Sequence, residues 1–221
     1  MARRGRATRR TVGEAECFWE NHYSGREPAG TRHPHPVLVE TARGLTPGSA
    51  LDLGCGDGAD AVWLATRGWR VTAVDISANA LRRAAARASA AGAADRLATG
   101  RHDLAGTFPS GTYDLISAHY LQTPFALPRA QVLRKAARAL NPGGLLLLVD
   151  HGSTRPWAWN PAPDAHFPAP EDLFGELALD PDRWRPERLD RHRREATGPD
   201  GRTAMVTDTV VTVRRLGPSE P

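Results

Sequence analysis

The chain has 221 residues, 40% hydrophobic and 24% charged, with a net charge of +4. That length suits one domain with a sizeable core, and no apolar run approaches the roughly 18 residues of a membrane span. Two cysteines, Cys17 and Cys55, form no disulfide framework, so a reducing cytoplasm is the expected setting.

Residues 1–13 carry Arg3, Arg4, Arg6, Arg9 and Arg10 with no apolar stretch behind them. They read as a disordered basic arm rather than a signal peptide. A domain over 14–215 and a short tail over 216–221 are expected to follow. The positive charge is almost all arginine, with Lys135 the only lysine. The modest excess lies partly in the arm, which makes nucleic acid an unlikely partner.

Phe18-Trp19-Glu20-Asn21-His22-Tyr23 places Trp19 and Tyr23 on one face of a helix, where they cover a ligand site or plug a sheet edge. His33 and His35 stand two apart in a proline-rich loop, without a Cys or acidic partner at ligand spacing, and no metal is expected. Pro36 opens a helix that Gly44 stops.

Ala50-Leu51-Asp52-Leu53-Gly54-Cys55-Gly56-Asp57-Gly58 is a short apolar strand running into a glycine turn. A helix over 59–67 follows. Glycines at such a turn let bare backbone approach a bound molecule, and the helix aims free N–H groups at the same spot. A second strand, 69–75, ends in Asp75, where an acid accepts hydrogen bonds from ribose hydroxyls. Ser77 caps an alanine-rich helix that Gly92 ends.

A weak third strand over 96–101 leads into His102-Asp103-Leu104, and a buried strand over 113–120 ends in Ser117-Ala118-His119-Tyr120. A helix over 129–140 turns at Asn141-Pro142-Gly143-Gly144 into a strand over 145–151, apolar on both faces and ending in His151. Strands alternating with helices at this spacing give a mostly parallel α/β sheet. The proline-rich loop 155–170 holds Trp157 and Trp159 and leaves the carboxyl end of a central strand, where ligands bind. A short helix over 171–177 follows. Segments 188–197 and 203–214, joined by Gly198-Pro199-Asp200-Gly201, read as a terminal antiparallel hairpin.

The glycine turn admits two cofactors. Gly54, Gly56 and Ala59 satisfy the dinucleotide pattern, with Asp75 suited to an NAD ribose, while Gly54, Gly56 and Gly58 satisfy G-x-G-x-G equally well. A dehydrogenase normally needs a second half-sheet or a catalytic domain, and few residues remain for one.

In order and spacing, 50–58, 71–77, 113–116 and 141–149 resemble the successive motifs of class I S-adenosylmethionine-dependent methyltransferases. The Trp19…Tyr23 start, the 60–65 helix, the 68–75 strand and the 198–204 ending are most similar to small bacterial tellurite-resistance and thiopurine-type methyltransferases. The resemblance implies a single Rossmann-like seven-stranded, mostly parallel sheet with helices on both faces and a C-terminal antiparallel hairpin. It also implies S-adenosylmethionine as cofactor. Gly54 and Gly56 would approach the methionyl part with Cys55 beside them, and Asp52 would lie near its amino group. Asp75, next to Ile76, would hold the ribose. Asp103, with His102 and Leu104, would read the adenine edge, and Ser117 to His119 would line the sulfonium.

The implied chemistry is in-line attack on the sulfonium methyl, in which positioning and desolvation do most of the work. Thiols and metalloids need no strong base once ionised, whereas a phenol, alcohol or amine does. His119 and His151, each at the end of a strand facing the crevice, are the candidate bases. Trp19, Tyr23, Tyr120, Trp157 and Trp159 are candidates for an aromatic acceptor wall. The expected partner is a small-molecule acceptor, with the chain a monomer or homodimer. Methylation of RNA or a protein is the alternative. The absence of an added binding module speaks against RNA, as does the lack of an aromatic after the asparagine in 141–144.

Overall fold

The computed structural model describes residues 12–24, 33–157, 167–198 and 201–217. The expected basic arm lies outside them up to residue 11, as do the tail beyond 217 and Trp159.

Seven strands form one sheet: β1 (Ser49–Leu53), β2 (Arg70–Asp75), β3 (Leu97–Arg101), β4 (Tyr113–His119), β5 (Leu140–His151), β6 (Trp184–Thr197) and β7 (Thr203–Arg215). Their order is β3-β2-β1-β4-β5-β7-β6. The first five run parallel, and β7 is antiparallel to both β5 and β6. The expected fold class holds. The helices are α1 (Val12–Tyr23), α2 (Pro36–Arg43), α3 (Ala59–Thr66), α4 (Ala78–Ala90), α5 (Arg129–Arg138) and α6 (Pro170–Gly175). Among the described residues no helix is long and apolar enough to cross a membrane.

Two apolar layers sandwich the sheet. On one face Val37, Leu38, Leu64 and Trp69 pack on Leu115, Leu147 and Val149. On the other, Leu133, Ala137, Leu173 and Leu177 pack on Ile116, Leu146 and Leu148. This explains why β5 is apolar at successive positions: alternate side chains enter opposite cores.

The structure departs from the sequence expectation at three places. Helix α1 begins at Val12, so the last two residues of the expected arm are helical. β5 begins at Leu140, and the Asn-Pro-Gly-Gly residues form a register shift between Tyr113↔Leu140 and Leu115↔Leu145 rather than a turn before the strand. β6 begins at Trp184, earlier than expected. His151 at the end of β5 pairs with Asp208 of β7, while Thr203 to Thr207 pair only with β6. The tip of the hairpin therefore overhangs the carboxyl edge of the parallel strands.

Candidate active site

The carboxyl end of β1 is held tightly to β2. The N–H groups of Gly54 and Cys55 both donate to the Val74 carbonyl, at 2.9 and 3.0 Å. Gly54 and Gly56 take φ of +70° and +54°, which favour glycine. Gly58 serves a different purpose. A Cβ there would lie 2.5 Å from the Ala84 Cβ, so this glycine lets α3 approach α4.

Two buried carboxylates flank the turn. Asp75 accepts from the N–H of Gly56 at 3.0 Å and of Ser77 at 2.9 Å. Burial nonetheless raises its pKa. Asp52 accepts from the Ser117 hydroxyl at 3.0 Å through Oδ1, while its buried Oδ2 has no partner. Burial, with the nearby Asp60 adding to it, pushes Asp52 up to about 7. The half-buried Cys55 thiol is also pushed up by burial and stays protonated. The His102 N–H donates to the Asp75 carbonyl at 2.9 Å, which sets His102, Asp103 and Leu104 beside the end of β2. Leu104 belongs to the apolar core, and Ile76 lends its carbonyl to Arg101 Nε.

Helix α1 lies across this edge. Glu20 accepts from the Ser77 hydroxyl at 3.0 Å and from the N–H groups of Ala78 and Asn79 at 2.7 and 3.1 Å. An α1 carboxylate thus caps α4 from outside, in company with Ser77, which accepts from the Ala80 N–H. At the other side Trp19 Nε1 donates to Thr123 Oγ1 at 3.3 Å, and Phe18 meets Phe125 edge-on at 5.4 Å. Between these anchors the Tyr23 hydroxyl reaches to 2.8 Å from where a Gly56 Cβ would stand. Burial first, then Asp75 and Asp57, raises the Tyr23 pKa, so it remains a neutral phenol.

A polar layer continues under α2 and α3. His119 Nδ1 pairs with Asp60 Oδ2 at 2.6 Å, and His119 Nε2 is buried without a partner among the described residues. Burial disfavours the imidazolium, but the Asp60 carboxylate outweighs it and raises the His119 pKa. Asp60, which burial would raise, is held low by His119. Its other oxygen accepts from the His35 backbone N–H at 2.6 Å.

His35 caps α2 by accepting from the Val37 N–H at Nδ1, so its Nε2 carries the hydrogen toward Tyr120 Oη at 2.9 Å and Asp208 Oδ2 at 3.3 Å. Asp208 is fully buried and also accepts from the Tyr120 hydroxyl (2.9 Å), Arg155 (3.0 Å) and Arg194 (2.6 Å). Burial opposes its charge, yet His35 and Arg194 win and hold its pKa well below the carboxylate range. Tyr120, at φ +50°, stacks on His151 at 4.4 Å. His151 is pushed down to about 4 by burial and by Arg155.

The comparisons with known proteins agree with this geometry. Residues 50–144, from β1 through the start of β5, match the family model described as "Methyltransferase domain". This segment is a methyltransferase domain.

Over 140 residues the chain is 34% identical to 27-O-demethylrifamycin SV methyltransferase from Amycolatopsis mediterranei (strain S699), covering 60% of this chain and 49% of the relative. Over 166 residues it is 35% identical to ribosomal RNA small subunit methyltransferase C from Chromohalobacter salexigens, covering 70% and 44%. The chain thus spans about half the length of the curated relatives it matches. A solved structure from work on the conversion of a disulfide bond into a thioacetal group during echinomycin biosynthesis is 26% identical. It covers 93% of this chain and 94% of that one, with a TM-score of 0.72. TehB from Haemophilus influenzae is 21% identical, covers 82% and 62%, and superposes with a TM-score of 0.63, a likeness of fold.

The structure brings the expected residues into two groups. Asp52, Gly54, Cys55, Gly56, Asp75 and Ser117 gather at the glycine turn with Tyr23 above. His119, Tyr120 and His151 gather one strand along. Trp19 anchors α1 to Thr123. Trp157 lies on Gly198, where a Cβ would come within 2.5 Å of the indole. Asn141 sits at the opposite end of the sheet and donates to Asp114 at 2.7 Å. The expectation that its glycine neighbours speak against RNA therefore fails, because this segment is remote from the site. Five participants were not singled out from the sequence: Glu20, Asp60, Arg155, Arg194 and Asp208. Asp208 alone left a signal, as an acid inside a β-branched strand. The sequence gives no sign of the part His35 plays here. Among the described residues no cluster suited to a metal ion exists.

Proposed function

We propose that the chain is an S-adenosylmethionine-dependent methyltransferase that acts on a small-molecule acceptor through an O–H or N–H group, with His119 as general base. The observation that carries this reading is the Asp60–His119 pair. Asp60 fixes the imidazole through Nδ1 and leaves Nε2 buried and unpartnered, as a base for a proton leaving the acceptor needs. His151 is a poorer base, because burial and Arg155 keep its basicity low.

The residues present fit the cofactor. Bare backbone at Gly54 and Gly56, the orphaned Oδ2 of Asp52 and the Asp75 carboxylate form a donor-poor, acceptor-rich edge suited to an ammonium and a ribose diol. Asp103 and His102 lie next to Asp75 for an adenine. When bound, the cofactor supplies an electrophilic methyl group on a cationic sulfur. Asp52 would hold its amino group, Tyr23 and α1 would exclude water, and His119 would take the acceptor's proton.

A small acceptor is supported by the roof that α1 forms over the glycine turn. It is also supported by the end-to-end likeness to the protein of the echinomycin work. The chain covers only 44% of the ribosomal RNA relative, so that likeness speaks for the shared domain. Incubation with labelled methyl donor and a panel of phenols, alcohols, amines and thiols, alongside ribosomal RNA, tests the reading. Label on a small O–H or N–H acceptor, lost in H119Q, is expected. Label confined to RNA, or transfer indifferent to H119Q, would overturn it.

A further inference from the structure

The cluster around Asp208 carries more positive than negative charge. Arg155 and Arg194 both bind the single Asp208 carboxylate. The three other titratable groups there are neutral. Burial lowers His35, pushes the Tyr120 hydroxyl up to about 12 and brings His151 down to about 4. Asp60, the next acid, is committed to His119 and the His35 N–H. Among the described residues one guanidinium charge is therefore left over, on side chains only 16% and 17% exposed. A cation so far removed from water calls for a counter-charge.

Among the described residues two polar atoms in the same cluster lack partners: Arg155 Nε and His151 Nδ1, both buried. Both residues lie against the Tyr120 ring, the guanidinium 4.5 Å from its centroid and the imidazole stacked at 4.4 Å. The overhanging hairpin supplies Arg194, and Trp157 ties the loop after β5 to Gly198 of that hairpin. The His35 ring joins this cluster to the candidate base, 5.6 Å from Tyr120 and 5.2 Å from His119.

We propose that Arg155 and His151 form an anion handle that binds a carboxylate-type group on the methyl acceptor, with Arg155 Nε and His151 Nδ1 as donors. The acceptor class is then a small anionic molecule whose O–H or N–H lies toward His119. Its neutral analogues are rejected. The assignment of the anion to an acceptor rests on the methyltransfer reading. The handle itself rests on the charge balance and the two orphaned atoms.

Calorimetry on the full chain, with and without S-adenosylhomocysteine, tests it with benzoate, benzamide and inorganic phosphate as probes. Benzoate is expected to bind about ten- to hundredfold more tightly than benzamide, the margin of a charge-assisted hydrogen bond. Arg155→Gln removes that margin. Because Arg155 also steadies Asp208, His151→Phe serves as a second variant that keeps a ring on Tyr120 and loses the Nδ1 donor. It is expected to weaken benzoate and leave benzamide unchanged. Equal binding of benzoate and benzamide, or benzoate binding indifferent to both variants, would overturn the handle. Phosphate binding as well as benzoate, with the same sensitivity to the variants, would make it a free-anion site and overturn the acceptor assignment. Failure of the wild-type chain to bind S-adenosylhomocysteine would instead sink the methyltransfer reading, with the benzoate arm still reporting on the handle.

Discussion

Asp60 and His119, 59 residues apart in sequence, meet through a 2.6 Å hydrogen bond between Oδ2 and Nδ1. The pair joins the first turn of α3 to the end of β4. It sets the imidazole's tautomer, so that the neutral ring presents Nε2 as an acceptor. H119Q is expected to lower kcat by about 10²–10⁴-fold for an O–H or N–H acceptor. The base works only when neutral and Asp60 raises its pKa, so the wild-type rate should climb with pH above the ordinary histidine value of about 6.5. D60N should move that inflection down and lower the plateau. A pH–rate profile unchanged in D60N would refute the role.

Asp52 makes cofactor binding proton-linked. Its carboxyl is held up to about 7 by burial, and an ammonium beside Oδ2 favours the ionised form. Binding below pH 7 should therefore expel a proton, and affinity should fall by up to about tenfold per pH unit there while staying flat above. Calorimetry at pH 6 in buffers of different ionisation enthalpy measures the release directly. In D52N both the release and the slope should vanish.

Glu20 links α1 to α4 by accepting from Ser77, Ala78 and Asn79. E20A leaves two backbone N–H groups of α4 without their acceptor, at a cost of about 1 kcal/mol. The larger effect should be on the roof, since Tyr23 is carried over Gly56 by the same helix. Cofactor affinity should fall while global stability changes little. An unaltered dissociation constant in E20A would show that α1 does not close the site.

The glycine turn, Asp75 and the parallel strands were legible because each is a local pattern: apolar runs of strand length, glycines where φ is positive, a Ser cap. The base partner was not. Asp60 reads as an ordinary first-turn acid, and nothing in its neighbours marks His119, which β4 brings alongside only after the sheet forms. In the sequence His35 stands beside His33 without the partners a metal needs, and nothing there points to Tyr120 and Asp208, which the fold brings to it. Long-range polar pairing depends on register between strands, which spacing along one chain does not encode.

Gly58 is the position where the glycine turn and helix packing meet. At φ +82°, a Cβ would stand 2.5 Å from the Ala84 Cβ and 2.9 Å from its Cα. G58A therefore suffers left-handed strain of about 1–2 kcal/mol and a clash with α4 backbone. A total loss of about 2–4 kcal/mol corresponds to a fall in Tm of about 10 °C for a chain of this size. Adding A84G removes the Cβ–Cβ contact and should recover part of that loss in a denaturant or thermal melt. Full additivity of the two changes would show that the contact carries no penalty.

Asp208 holds the terminal hairpin to the parallel sheet. Its carboxylate takes hydrogen bonds from Tyr120 and two arginines and lies 3.3 Å from the His35 Nε2, groups that reach it from β6, the loop after β5, the end of β4 and the cap of α2. D208N would leave two part-buried guanidiniums without their counter-ion, a change that costs about 3–5 kcal/mol in comparable buried pairs. A fall in Tm of about 10 °C is the expected reading. The pH dependence separates charge from shape. The folded pKa is depressed, so the stabilisation is fully present above the unfolded carboxylate value of about 4 and is lost as pH falls through the folded one. The stability gap between wild type and D208N should thus stay constant from pH 8 down to about 4 and narrow only below it. A gap that closes between pH 6 and 5 would assign the stabilisation to a histidine instead.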